Sequence, residues 1–189
     1  MKKALIIAIL TCSSIVSTAF TDIKEPITSV SKSLIFPVAG SRSNIGSFWG
    51  ARRSGGRRKH KGIDIFAKKG TPVVAVCDGI ITSSGTSTRG GKDLWLQSSR
   101  YPWRAYYAHL DQKKVSEGQF VKKGQVLGTV GNTGNAKYTP SHLHFGIYKT
   151  AGGAVNPLPY VKNSPKIAVK STAVKSGGAV VKSNVGRRV

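Results

Sequence analysis

The sequence predicts an all-β domain of short antiparallel strands, packed as a small β-sandwich or barrel-sandwich. Three observations carry that prediction. Short apolar runs recur from residue 60 to residue 148, each set off by turn residues. Glycine is abundant, with 22 in 189 residues, as a chain of many tight turns requires. No long segment repeats its apolar residues at the 3.6-residue period of a helix, which leaves room for one brief helix at most. The length suits one domain with a real core and is short for two.

Residues 1–19 have the pattern of a secretory signal. Lys2 and Lys3 form a basic start, Ala4 to Ile9 is apolar, and Ser17-Thr18-Ala19 offers small residues for cleavage after Ala19. The apolar run is broken by Thr11, Cys12, Ser13 and Ser14, so it falls short of the roughly 20 residues of a membrane span. Export to the periplasm, the cell wall or the extracellular space is therefore expected. Residues 20–59 read as a lead-in segment and loop, partly packed on the core. They carry Pro37, five glycines from Gly40 to Gly56, and the basic cluster Arg52, Arg53, Arg57, Arg58 and Lys59.

The strand candidates then follow in order. Val73–Val76 comes after Gly70-Thr71-Pro72. Ile80–Ile81 comes after Asp78-Gly79, a hairpin-type dipeptide. Leu94–Leu96, Ala105–His109, Val126–Val130 and Leu143–Tyr148 complete a domain over 60–160. Residues 161–189 read as a basic tail; from 165 they hold no aromatic and no acidic residue, too little to bury, so disorder is expected.

Formal charge is +23, or +21 once Lys2 and Lys3 leave with the signal. Such a field draws the chain to polyanions. For an exported chain the nearest are anionic cell-envelope polymers, and specific nucleic-acid binding is not expected. Loss of Cys12 with the signal leaves Cys77 alone, which excludes an internal disulfide. Its apolar surroundings, Val73 to Val76, suggest a buried small hydrophobe.

All four histidines fall in three short motifs: His60-Lys61-Gly62-Ile63-Asp64, Tyr107-Ala108-His109-Leu110 and His142-Leu143-His144-Phe145. On a strand His142 and His144 project from one face, while Leu143, Phe145 and Ile147 go to the core. His60 and Asp64 share a face if the chain is extended, with Gly62 leaving open space between them; a helix would also pair them. Gly62 and two isoleucines argue against the helix. Imidazole and carboxylate suit zinc, and a catalytic zinc site takes three protein ligands and a water. Four histidines and Asp64 exceed that need, so the surplus could serve as acid–base groups.

With these motifs the chain resembles the M23 peptidases, the lysostaphin-like zinc endopeptidases of bacterial cell walls. The likeness runs from about Phe36 to Pro159. It includes the three histidine motifs, Gly70-Thr71-Pro72-Val73, Ala75 to Gly79, Gly118 to Gln125, and Gly131-Asn132-Thr133-Gly134. The resemblance implies a peptidase domain in which His60, Asp64 and His144 bind one Zn²⁺ per chain. It implies that His142 assists a zinc-activated water and that His109 stabilises the developing oxyanion. The substrate it implies is peptidoglycan, cut at stem peptides or crossbridges, and the chain is expected to act as a monomer. Ser83 to Arg104 departs from the family pattern. Its aromatics, including Trp95 and the hairpin Tyr101-Pro102-Trp103-Arg104, could stack on substrate or pack on themselves.

Two other classes compete. Val121 to Leu127 resembles the carrier hairpin of lipoyl and biotinyl domains, but the methionine beside the modified lysine is missing. A non-enzymatic basic envelope-binding protein or wall-hydrolase regulator fits the charge, yet leaves the clustered histidines unexplained.

Overall fold

The structure is a computed structural model that describes residues 33–169. The expected signal at 1–19 and most of the expected tail lie outside the described residues.

The domain is nearly all β, as the sequence predicts. Its strands are β1 (Asn44–Ser47), β2 (Arg52–Arg53), β3 (Arg58–Lys59), β4 (Ile63–Phe66), β5 (Pro72–Val74) and β6 (Gly79–Ser87). They continue as β7 (Gly91–Ser98), β8 (Trp103–Lys113), β9 (Phe120–Val121), β10 (Val126–Val130), β11 (His142–Lys149) and β12 (Gly153–Val155). A single helical turn, α1 (Leu158–Val161), ends the series. Among the described residues no helix is long and apolar enough to cross a membrane.

One antiparallel sheet runs β1-β4-β11-β8-β7-β6-β9, and β10 joins β8 to β5. The β2–β3 hairpin stands apart from it. Strand β8 changes partner along its length. Its first half, Trp103 to Ala108, pairs with β11, and its second half, from Leu110, pairs with β10. His109 sits at the changeover.

Alternation divides the central strands into two faces. Leu143, Phe145 and Ile147 of β11 join Ile63 and Ile65 of β4, Ala105 and Tyr107 of β8, and Leu94 and Leu96 of β7 in one buried core. The opposite face carries Asp64, His142, His144, Tyr106 and Trp95. The core also takes in Leu34, Phe36 and Val38 before the strands and Val161 after them, so packing reaches beyond residues 60–160 on both sides.

Asp78-Gly79 is not a hairpin turn. Strand β5 pairs with β10, whereas β6 pairs with β7 and β9. Gly79 answers a different need: a Cβ there would lie 2.1 Å from the Gln97 carbonyl oxygen of β7. Cys77 is buried and free, as its apolar run suggests.

Candidate metal centre

Strands β4 and β11, with the segment that leads into β4, bring the donors together. In the β4–β11 register Asp64 lies opposite His144, and on the other flank of β11 His144 lies opposite Ala108. Residues paired across strands share a face, so Asp64 and His144 meet at once. His60 precedes β4, and a bend at Lys61-Gly62 folds it back toward Asp64. His60 Nε2, Asp64 Oδ1 and His144 Nδ1 form a triangle with edges of 2.9 to 3.0 Å.

Gly62 does not leave open space. A Cβ there would lie 2.5 Å from the Phe145 carbonyl oxygen and 2.7 Å from His144 Cε1. The imidazole of His144 fills the gap that the missing side chain provides.

Three of the four histidines have their tautomer assigned by a backbone carbonyl, which can only accept. His60 Nδ1–H donates to Phe48 O at 2.9 Å, His109 Nδ1–H to Thr133 O at 2.9 Å, and His142 Nδ1–H to Pro140 O at 2.8 Å. Each keeps a free lone pair on Nε2. At the triangle, bare His60 Nε2 therefore faces an Asp64 oxygen and a His144 nitrogen. Three acceptor atoms at this spacing suit a cation. A tetrahedral zinc with bonds of about 2.0–2.1 Å sets its ligand atoms about 3.4 Å apart, a few tenths of an ångström wider than seen here. The residues present fit zinc.

Asp64 is held from behind by Arg53, whose Nη2 donates to Asp64 Oδ2 at 2.5 Å and to Ser47 Oγ at 2.7 Å. The same Nη2 lies 3.0 Å from His60 Nδ1, but that nitrogen's hydrogen goes to Phe48, so no hydrogen bond joins the two. Burial pushes the Asp64 carboxyl up, yet the close approach of His144 and His60 outweighs it and holds the group well below the usual carboxylate range. Burial pushes His109 down to about 4, with His142 and His144 adding to the effect. Burial also lowers His144. In both, burial favours the neutral imidazole, the form that metal ligation requires of His144.

His109 and His142 stand beside the triangle, their ring centroids 5.0 Å apart, and His109 is 6.0 Å from His144. His109 has φ of 63°, a left-handed conformation that a side-chain-bearing residue rarely adopts. The β8 registers slip on both flanks here, between Lys92 and Leu94 on β7 and between Thr129 and Val130 on β10. This is a bulge, and it turns His109 out of the β8 alternation into the cleft. The amide of His109 is tied to Gly90 O at 2.7 Å, which helps hold the strained residue.

All five expected site residues line one cleft of about 720 Å³. Several participants carry no sequence signal: the carbonyls of Phe48, Thr133 and Pro140 act through the backbone. Arg53 stands in a basic run whose members look alike until the fold selects one. The aromatics of the divergent stretch divide. Tyr101 and Trp103 stack on each other at 5.5 Å, whereas Trp95 faces the cleft with Tyr106 and Tyr148, 4.5 and 4.9 Å away.

Fold and site together define a class: an antiparallel β domain with a His–Asp–His set that could hold a metal ion, open to a cleft. Residues 58–157 match the model of peptidase family M23, and the chain belongs to that family. It is 39% identical over 127 residues to an L-Ala--D-Glu endopeptidase of Bacillus subtilis, covering 61% of this chain and 39% of that protein. It is 41% identical over 103 residues to the murein hydrolase activator NlpD of Salmonella dublin, covering 54% of this chain and 26% of that protein. The chain thus spans well under half the length of these relatives. The catalytic domain of the antimicrobial peptidase lysostaphin from Staphylococcus simulans superposes with a TM-score of 0.58 at 34% identity, covering 63% of this chain and 92% of that domain.

Proposed function

We propose that the chain is an exported zinc metalloendopeptidase that hydrolyses peptide bonds of peptidoglycan. The observation that carries this is the His60–Asp64–His144 triangle with the imidazoles of His109 and His142 beside it in one cleft. Bound zinc would supply a Lewis acid and bring the pKa of a coordinated water to about 7.

The chain's own groups account for the rest. His142 Nε2, left free by the bond to Pro140, would accept a proton from the attacking water and pass it to the leaving amine. His109, oriented by Thr133, would steady negative charge developing on the scissile carbonyl oxygen. A group that ionises near 4 is mostly neutral at pH 7, and its one hydrogen goes to Thr133, so His109 would donate from Nε2 only by taking up a proton as that charge appears.

Supporting export is the signal-like pattern of residues 1–19, and the basic surface would hold the chain to anionic envelope polymers. The likeness to an activator of murein hydrolases favours a second reading, a regulator without turnover of its own. Purified chain incubated with peptidoglycan, followed by mass analysis of the released fragments, separates the two. New amino termini that vanish with a chelator and return with zinc are expected. Release only when another wall hydrolase is added would establish the regulator, and full activity after zinc is stripped would exclude the zinc mechanism.

A further inference from the structure

The cleft has two unlike walls. Trp95, Tyr106 and Tyr148 form one. The other is cationic: Arg57, Arg58 and Lys59 come from the β2–β3 hairpin, Lys61 follows it, and Arg89 enters from the turn after β6. All five are exposed. Among the described residues none of them pairs with a carboxylate, and Arg58 donates to Ser54 Oγ on its own hairpin. The one carboxylate lining the cleft, Asp64, is already engaged by His60, His144 and Arg53.

Uncompensated cations beside an apolar wall focus a positive field into the cleft. Guanidinium forks match planar carboxylates in shape as well as in charge. A neutral peptide would leave this wall without a counter-charge, and a cationic peptide would be repelled. We propose that the cleft selects peptides bearing a carboxylate close to the bond presented to the metal centre. The Arg57–Arg58 hairpin engages the carboxylate, and the chain of the peptide lies against Trp95 and Tyr148. The proposal deepens the peptidase reading and rests on it for the bond that is cut, but the binding preference can be measured without turnover.

The test uses two labelled peptides, identical except that one carries glutamate where the other carries glutamine. Their Kd values are measured by fluorescence anisotropy, and their cleavage is followed in parallel. At about 0.02 M salt the acidic peptide should bind about ten-fold tighter, and at about 1 M salt, where charges are screened beyond about 3 Å, the ratio should approach one. Arg57→Gln/Arg58→Gln should collapse the low-salt ratio. Lys114→Gln/Lys122→Gln, which removes two exposed charges outside the cleft, should leave it standing. Equal Kd values at low salt would overturn the proposal. A preference that survives the arginine double variant would place the carboxylate on the metal and overturn it too, as would an equal loss in both double variants. Preference without cleavage of either peptide would sustain this proposal and sink the peptidase reading. Equal binding with cleavage of both would do the reverse.

Discussion

Arg53 holds Asp64 by its outer oxygen: Nη2 lies 2.5 Å from Oδ2, while Oδ1 faces His60 and His144 at 3.0 Å each. The two oxygens of one carboxylate are thereby given separate tasks. Partners behind a ligand fix its orientation, and their loss typically costs 10–100-fold in metal affinity. Arg53→Ala should therefore weaken zinc binding by about 10–100-fold in competition against a chromophoric chelator, with the fold kept by far-UV circular dichroism. Arg53→Lys, which keeps the charge on a shorter side chain without the planar guanidinium, should recover only part of the loss. Unchanged affinity in Arg53→Ala would show that the contact is incidental.

His142 and His144 share a face of β11 but should separate by metal content. His144 Nδ1 is in the donor triangle, whereas His142 Nδ1 donates to Pro140 O. His144→Ala should lose zinc, measured as metal per chain by mass spectrometry. His142→Ala should keep about one zinc and lose turnover. Equal zinc loss in both would refute this division of roles.

Gly62 tests how tightly the centre is built. Its missing Cβ is what allows the Phe145 carbonyl and the His144 ring to approach. A backbone oxygen 2.5 Å away cannot swing aside as a side chain could. Gly62→Ala should destabilise the fold by about 1–3 kcal/mol, as overpacking does, and weaken zinc binding as His144 is displaced. Wild-type stability together with wild-type zinc affinity would show that β4 and β11 part at no cost.

The legible features were those that depend on alternation. The period of two along His142 to Ile147 is enough to send Leu143, Phe145 and Ile147 inward and both histidines outward, because a strand offers no other arrangement. Val126–Val130 even keeps its bounds as β10. Long-range pairing was not legible: nothing local joins Asp64 to His144 across 80 residues, or β5 to β10 rather than β6. The bulge at His109 was hidden as well, since it arises where β8 exchanges one partner strand for another. Gly62 illustrates the limit, because a glycine signals missing volume without saying what will fill it.

Cys77 should be inert in the native protein. Burial, the largest cause, pushes its thiol from 9.0 to about 11. At pH 8 almost no thiolate exists in the folded state, so alkylation by iodoacetamide should be far slower than in urea. The sign for stability follows. The folded pKa lies above the unfolded one, so this contribution is intact below about 9 and is lost as pH rises from 9 toward 11. Rapid native alkylation at pH 8 would mean that the segment opens freely.

The C-terminal segment should divide functionally near residue 169. Its first part is tied to the domain: the Phe36 amide donates to Pro165 O at 3.0 Å and the Gly40 amide to Ile167 O at 2.8 Å. Lys166 Nζ reaches Ser43 O at 2.9 Å and lies 4.8 Å over the Phe36 ring. Deleting 170–189 leaves all of these in place, so the melting temperature should not move. Deleting 165–189 removes two backbone hydrogen bonds, worth about 0.5–1.5 kcal/mol each, and should lower it by several degrees. Both deletions remove Lys170, Lys175, Lys182, Arg187 and Arg188, so both should weaken retention on cell walls at low salt and spare cleavage of a small soluble peptide. Retention that stays the same at every salt concentration after deletion of 170–189 would make those residues a spacer and leave attachment to the folded surface alone.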